Sequence, residues 1–222
     1  MNTLLLVGSP KPGTSASRSF GEALLSRLAA RSVTTRTARV APSFRSEVKL
    51  AELTEEIAWA DLVVLSCPVY VDSLPAPVTR LLEAWAAGVD ANARVGSKAR
   101  QLALLVQCGF PEARHCNVAI DVCRQFCAET GVEWAGALAF GTGGALEGRS
   151  IERSPLARAV PALDAAADAL AAGQPIPSSA SAAFAKPIAP AWVYTLFGGL
   201  AWWRLARKRG GKERLRLRRY PQ

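Results

Sequence analysis

Ten residues near the amino terminus, GSPKPGTSAS at positions 8–17, hold four hydroxyl side chains, one lysine and two glycines. They follow the apolar run Thr3–Val7 and precede a helical pattern. That order suits a bound phosphate. The first N–H groups of a helix have no partner within it, and the helix dipole adds partial positive charge at the same end. Ser9, Thr14, Ser15 and Ser17 supply hydroxyl donors, and Lys11 supplies a point charge. Gly8 and Gly13 permit a tight turn. Taken alone, the motif equally describes a serine-rich N-cap turn without a ligand.

Three further loops follow apolar runs. Leu62–Ser66 leads into Cys67-Pro68-Val69-Tyr70-Val71-Asp72-Ser73-Leu74-Pro75. Leu102–Gln107 leads into Cys108-Gly109-Phe110-Pro111-Glu112, and Val132–Phe140 into Gly141-Thr142-Gly143-Gly144. The first of these offers an aromatic ring on a proline-stiffened backbone that can lie against a flat heterocycle. The other two offer glycines for close backbone approach to a ligand. Phosphate at one end and a planar ring at the other is the outline of FMN. One such loop alone reads better as an ordinary strand-to-helix turn; four on one sheet edge favour a ligand site.

Such convergence requires a sheet whose strand ends share one edge. Thr3–Val7, Ser32–Val40, Leu62–Ser66, Leu102–Gln107 and Val132–Phe140 read as strands, several continuously apolar as expected when both faces are covered. Helical spacing links them: Phe20, Leu24 and Leu28; Val78, Leu81, Leu82 and Trp85; Val118, Val122 and Phe126; Leu156, Val160, Leu163, Ala167 and Leu170. A more polar helix is expected over 45–59. Five strand–helix units in series predict an α/β, doubly wound, five-stranded parallel sheet of order 2-1-3-4-5. Ligands of such sheets sit outside the carboxyl ends of the strands.

With these pieces in place, the chain resembles the NADPH-dependent FMN reductase and NAD(P)H-dependent oxidoreductase families of the flavodoxin-like superfamily. The matching segments are GSPKPGTSAS, ADLVVLSCPVYVDSLPAPVTRLLEAW and VQCGFPE, within residues 1–170. The resemblance implies a flavodoxin-like domain in which Ser9, Lys11, Ser15 and Ser17 hold the FMN phosphate. Ala16 stands where the family often has the asparagine of a Ser-Asn-Ser triplet, so one side-chain contact is lost. Pro68, Val69, Tyr70 and Val71 would contact the isoalloxazine ring, and Cys108, Gly109 and Phe110 would close its other side. The implied activity is electron transfer from NADPH or NADH through FMN to a small acceptor such as a quinone, nitro or azo compound. The cofactor carries that chemistry, so no catalytic side chain is expected. A homodimer is implied as well.

Composition limits the alternatives. Half of the 222 residues are hydrophobic, enough for a full core. No secretory signal is read at the start, and five cysteines, an odd number, argue against a disulfide framework. The expected location is the cytoplasm. His115, Cys116, Cys123 and Cys127 lack the spacing of a zinc site, so no metal is expected, and the cysteines read as small hydrophobes. No GxSxG elbow is present.

Charge is uneven: residues 204–222 hold nine Lys/Arg against Glu213, whereas residues 1–203 hold 18 Lys/Arg and 17 Asp/Glu. The expected division is a flavodoxin-like FMN-binding domain over 1–172, then a Pro/Ser/Ala linker and an aromatic, basic helical arm over 173–222. Packing of that arm on the fold or on a partner subunit is the first reading, and peripheral membrane contact the second. No recognition motif accompanies the charge, so no specific nucleic-acid partner is expected. The rival to the enzyme is a noncatalytic binding module of the same fold, tethered by its tail.

Overall fold

The computed structural model describes residues 1–92, 101–146, 150–152 and 156–210. Five parallel strands form one sheet: β1 (Asn2–Val7), β2 (Thr34–Arg39), β3 (Leu62–Pro68), β4 (Gln101–Gln107) and β5 (Glu133–Phe140), in order β2-β1-β3-β4-β5. This is the expected order. The second strand is shorter than its apolar pattern suggested, because Ser32 turns with a positive φ and Val40 already opens a helix. In β3, pairing runs on through Pro68, opposite Gln107.

Eight α-helices are described: α1 (Ala16–Ala29), α2 (Val40–Ser43), α3 (Glu47–Trp59), α4 (Ala76–Asn92), α5 (Asn117–Thr130), α6 (Val160–Ala171), α7 (Ser178–Phe184) and α8 (Ala191–Lys208). Alternate strand residues serve opposite layers, as the pleat requires. Leu4, Leu6, Val63 and Leu65 pack in a layer with residues of α3, α4 and α5; Leu5, Val7, Val64 and Leu105 pack in the other with α1, α6 and α7. Both layers are apolar and buried, which is why the strands read as unbroken apolar runs. One helical stripe requires correction. Val118 and Val122 are exposed, and α5 turns Ala119, Cys123, Phe126 and Cys127 to the core instead. The small cysteines let this face lie close to the sheet, and valines on the outer face misled the pattern.

The chain divides after Ile188 rather than after residue 172. Residues expected to form a linker belong to the first unit. Phe184 of α7 is buried against Phe20 and Phe140, with ring centroids 5.6 and 5.3 Å away. Ile176 N–H donates to the Ala135 carbonyl at 2.8 Å, and Ser181 Oγ donates to the Ala137 carbonyl at 2.8 Å, so this segment covers the outer edge of β5. The second unit contains α8. Its basic residues from Lys212 to Arg219 lie outside the described residues. Among the described residues, no helix is long and apolar enough to cross a membrane.

Candidate functional site

The first loop is built around the start of α1. Ser15 is the N-cap, in extended conformation, and its Oγ accepts from Arg18 N–H at 3.2 Å. Ser9 Oγ accepts from Lys11 N–H at 3.4 Å. A hydroxyl that accepts in this way keeps its own hydrogen to donate. No acidic residue stands in the first turn of α1, so the positive end of the helix is not offset there. Arg39, the last residue of β2, donates from Nη2 to the Lys11 carbonyl at 2.9 Å. The sequence reading missed this second cation; its only signal was its place at the carboxyl end of the neighbouring strand.

Close packing fixes the loop to the sheet. Gly8 N–H donates to the Ser66 carbonyl at 2.8 Å, and a Cβ on Gly8 would stand 2.6 Å from Val78 Cγ2 and 2.8 Å from Cys67 Cβ. Only glycine fits there. Ser17 is buried and carries cross-links: Ser66 Oγ donates to its carbonyl at 2.7 Å, and Gln107 Nε2 donates to its Oγ at 3.5 Å. Ala16 is also buried and packs in the α1 layer.

The loop after β3 makes a reversal. Tyr70 and Ser73 exchange backbone hydrogen bonds at 3.0 and 3.2 Å, with Val71 and Asp72 between them at φ 50° and 57°. Two left-handed residues in succession make a primed turn, which usually takes Asn and Gly. A β-branched residue in that region is strained by about 1–3 kcal/mol. Val71 is 98 % exposed and Tyr70 49 % exposed, so neither side chain is held by the core.

A cavity of about 270 Å³ lies between this turn and the loop after β4, lined by Val69, Val71, Asp72, Cys108, Gly109, Phe110 and His115. Five of these are residues that the sequence assigns to the ring; Asp72 is not, and His115, considered there only as a metal ligand and rejected, also lines the cavity. Pro68 and Tyr70 flank the cavity without lining it. The Phe110 and His115 rings are tilted together at 4.6 Å, and His115 Nε2 stands 3.9 Å from Glu112 Oε2. Nothing stands within 4 Å of a Cβ built on Gly109, so there is room beside this residue on the cavity side. A larger groove of about 840 Å³ runs beside β2 and α3 over charged residues such as Arg36, Lys49 and Glu56, away from the loops after β3 and β4.

The loop after β5 differs. Thr142 N–H donates to the Phe110 carbonyl at 2.6 Å and Gly143 N–H to the Cys108 carbonyl at 2.9 Å. A Cβ on Gly141 would overlap the Pro111 carbonyl, and one on Gly143 would overlap the Gln107 side chain. Those two glycines allow close approach between loops, not to a ligand.

All five cysteines are free and buried. A hydrogen bond from Cys116 pulls the Cys108 thiol down to about 7, and the same bond pushes Cys116 up. Burial raises Cys67, Cys123 and Cys127. Among the described residues, no group of His, Cys, Asp and Glu could hold a metal ion.

The family model described as a flavodoxin-like fold matches residues 1–141. The chain belongs to the flavodoxin-like family. No curated protein matches it. Among solved structures, it is similar to an apo NADH:FMN oxidoreductase at 16 % identity, covering 85 % of this chain and 96 % of that one, with a TM-score of 0.55. An oxidoreductase from Corynebacterium diphtheriae gives 17 % identity, 78 % and 96 % coverage, and a TM-score of 0.55. A flavodoxin from Streptococcus pneumoniae gives 14 %, 78 % and 99 %, and 0.53. At these identities the likeness establishes the flavodoxin-like fold.

Proposed function

We propose that this protein is an FMN-dependent oxidoreductase that takes electrons from NADPH or NADH and passes them to a small acceptor such as a quinone, nitro or azo compound. One observation carries the reading: the cavity bounded by Val69, Val71, Gly109 and Phe110 opens on the sheet edge that also carries the cationic serine loop. Ser9, Lys11, Ser15, Ser17 and the first N–H groups of α1 would hold the phosphate, with Arg39 adding charge and Ala16 lending only its backbone. Pro68, Val69, Tyr70, Val71, Cys108, Gly109 and Phe110 would hold the ring. Bound FMN supplies hydride acceptance and electron donation.

The chain's own residues bind, orient and exclude water. Val69 and Phe110 present apolar surface to a flat ring, and Gly109 puts no side chain between the backbone and that ring. The carboxylate of Asp72 beside the cavity disfavours added negative charge on a neighbouring group. The named solved structures include an NADH:FMN oxidoreductase, which accords with this activity. Five unpaired cysteines accord with work in a reducing cytoplasm. A homodimer, with a second subunit at the open edge of the cavity, belongs to the same proposal and is checked by light scattering.

The test is direct. The purified chain is titrated with FMN and then mixed anaerobically with NADPH or NADH. Stoichiometric yellow protein that the nicotinamide bleaches, and a quinone recolours, is expected. Protein that stays colourless in excess FMN is the result that overturns the reading and leaves a noncatalytic module.

A further inference from the structure

The helix α8 presents to solvent what helices of this length normally bury. Trp192, Leu196, Leu200 and Trp203 follow i, i+4, i+8, i+11 and share one side, and all are exposed, Trp192 to 70 %. Tyr194, Trp202 and Leu205 lie on the other side and are exposed as well, Trp202 to 67 %. Contiguous apolar surface of this kind marks an interaction site. Charge is confined to one end: residues 191–210 contain no Asp or Glu, and their cations are Arg204, Arg207, Lys208 and Arg209. The Arg207 guanidinium stands 5.7 Å from the Trp203 ring centroid, so cation and aromatic ring occupy one place.

We propose that α8 lies in the surface of an anionic membrane, its aromatic and aliphatic side chains sunk to the headgroup boundary and its cationic end against lipid phosphates. This inference stands apart from the flavin reading. Length argues for lying rather than spanning. The uncharged stretch Ala191–Trp203 has thirteen residues. It is about 20 Å long at 1.5 Å per residue, against a hydrocarbon core of about 30 Å. Tryptophan at both ends suits the interface, where an apolar ring with a polar N–H is best solvated.

Charge separates the candidate occupants. A second copy offers residues 1–203, whose 18 Lys/Arg and 17 Asp/Glu nearly cancel, so it brings no net negative charge to the cationic end. A protein groove would also cover one stripe and leave Trp202 or Leu196 in water. Nucleic acid would satisfy the cations and leave the apolar residues uncovered. Anionic lipid satisfies both.

The full chain is floated with phosphatidylcholine vesicles and with vesicles containing one-third phosphatidylglycerol. Partition at least tenfold greater on the anionic vesicles is expected, since each cation near such a surface contributes about fivefold. Salt at about 0.5 M should remove most of that difference. Brominated lipid should quench tryptophan fluorescence. Leu200→Glu changes an exposed residue; it should lower partition at least tenfold and leave thermal unfolding and circular dichroism of the chain unchanged. Equal weak binding to both vesicles overturns the proposal. So does a dimer, seen by light scattering without lipid, that Leu200→Glu dissociates. Retention by duplex DNA without vesicle binding or quenching overturns it too.

Discussion

The loops after β3 and β5 leave the same edge of the same sheet and are built in opposite ways. After β5, Gly141 and Gly143 are pressed against Pro111 and Gln107, and two backbone hydrogen bonds close the seam. After β3, Val71 and Asp72 turn through left-handed backbone, and Val71 stands almost wholly in water. One loop uses the residue that fits its geometry and fills its space. The other uses a residue that does not fit and leaves a cavity beside it. Strain that the core does not require is stored where a ligand would meet the chain. The closed seam ties the loop after β4 to the loop after β5 through Phe110 and Cys108.

Gly141→Ala attacks the closed side and should have the largest effect. Its methyl overlaps backbone that cannot rotate away, so a loss of roughly 3–5 kcal/mol is expected in urea unfolding. Alkaline pH tests the core beneath the same side. Desolvation, with the charge of Cys127 second, pushes Cys123 up to about 12, and desolvation pushes Cys127 up to about 12. Thiols of the unfolded chain ionise near about 8.5. The folded state therefore binds more protons between these values, and stability falls as pH rises from about 9 towards 12. Each thiol held protonated in the fold contributes a slope of at most about 1.4 kcal/mol per pH unit, approached once the unfolded thiol is fully ionised. Cys67 and Cys116 are held up as well, so Cys127→Ala should lower that slope by one thiol's share in thermal melts.

On the open side the expected effects are smaller and divide between binding and folding. Tyr70→Ala should weaken FMN about fivefold by calorimetry, from loss of aromatic contact worth about 1 kcal/mol, and leave unfolding unchanged. Unaltered affinity would remove Tyr70 from the site. Val71→Asn places a residue tolerant of positive φ in the turn. It should raise stability by somewhat under about 1 kcal/mol in the same urea assay. A destabilised variant would show that the turn is not strained.

The sheet was legible because parallel strands covered on both faces leave an unmistakable apolar run, as in Leu62–Ser66. Four loops could be placed on one edge for the same reason. What the sequence hid were matters of direction. Glycine types at 141 and 143 announced close approach without saying to what. Valine at 71 gave no sign of left-handed backbone, since its own preference is extended. The alanines and serines of α7 masked a helix whose sole large anchor is Phe184, tied to β5 by Ser181 and by the N–H of Ile176 just before it. Arg39 and His115 reach the site from residues whose side-chain direction only the fold decides.

That cover over β5 has a consequence for how the molecule behaves in a crowd. A parallel sheet has two raw margins, each able to template a stranger's backbone. Here one margin is sealed by the chain's own continuation. The other, β2, carries Arg36 and Arg39, with Arg36 paired to Glu56 at 3.2 Å. Growth of the sheet by a foreign strand thus has one direction open, and that direction is guarded by charge.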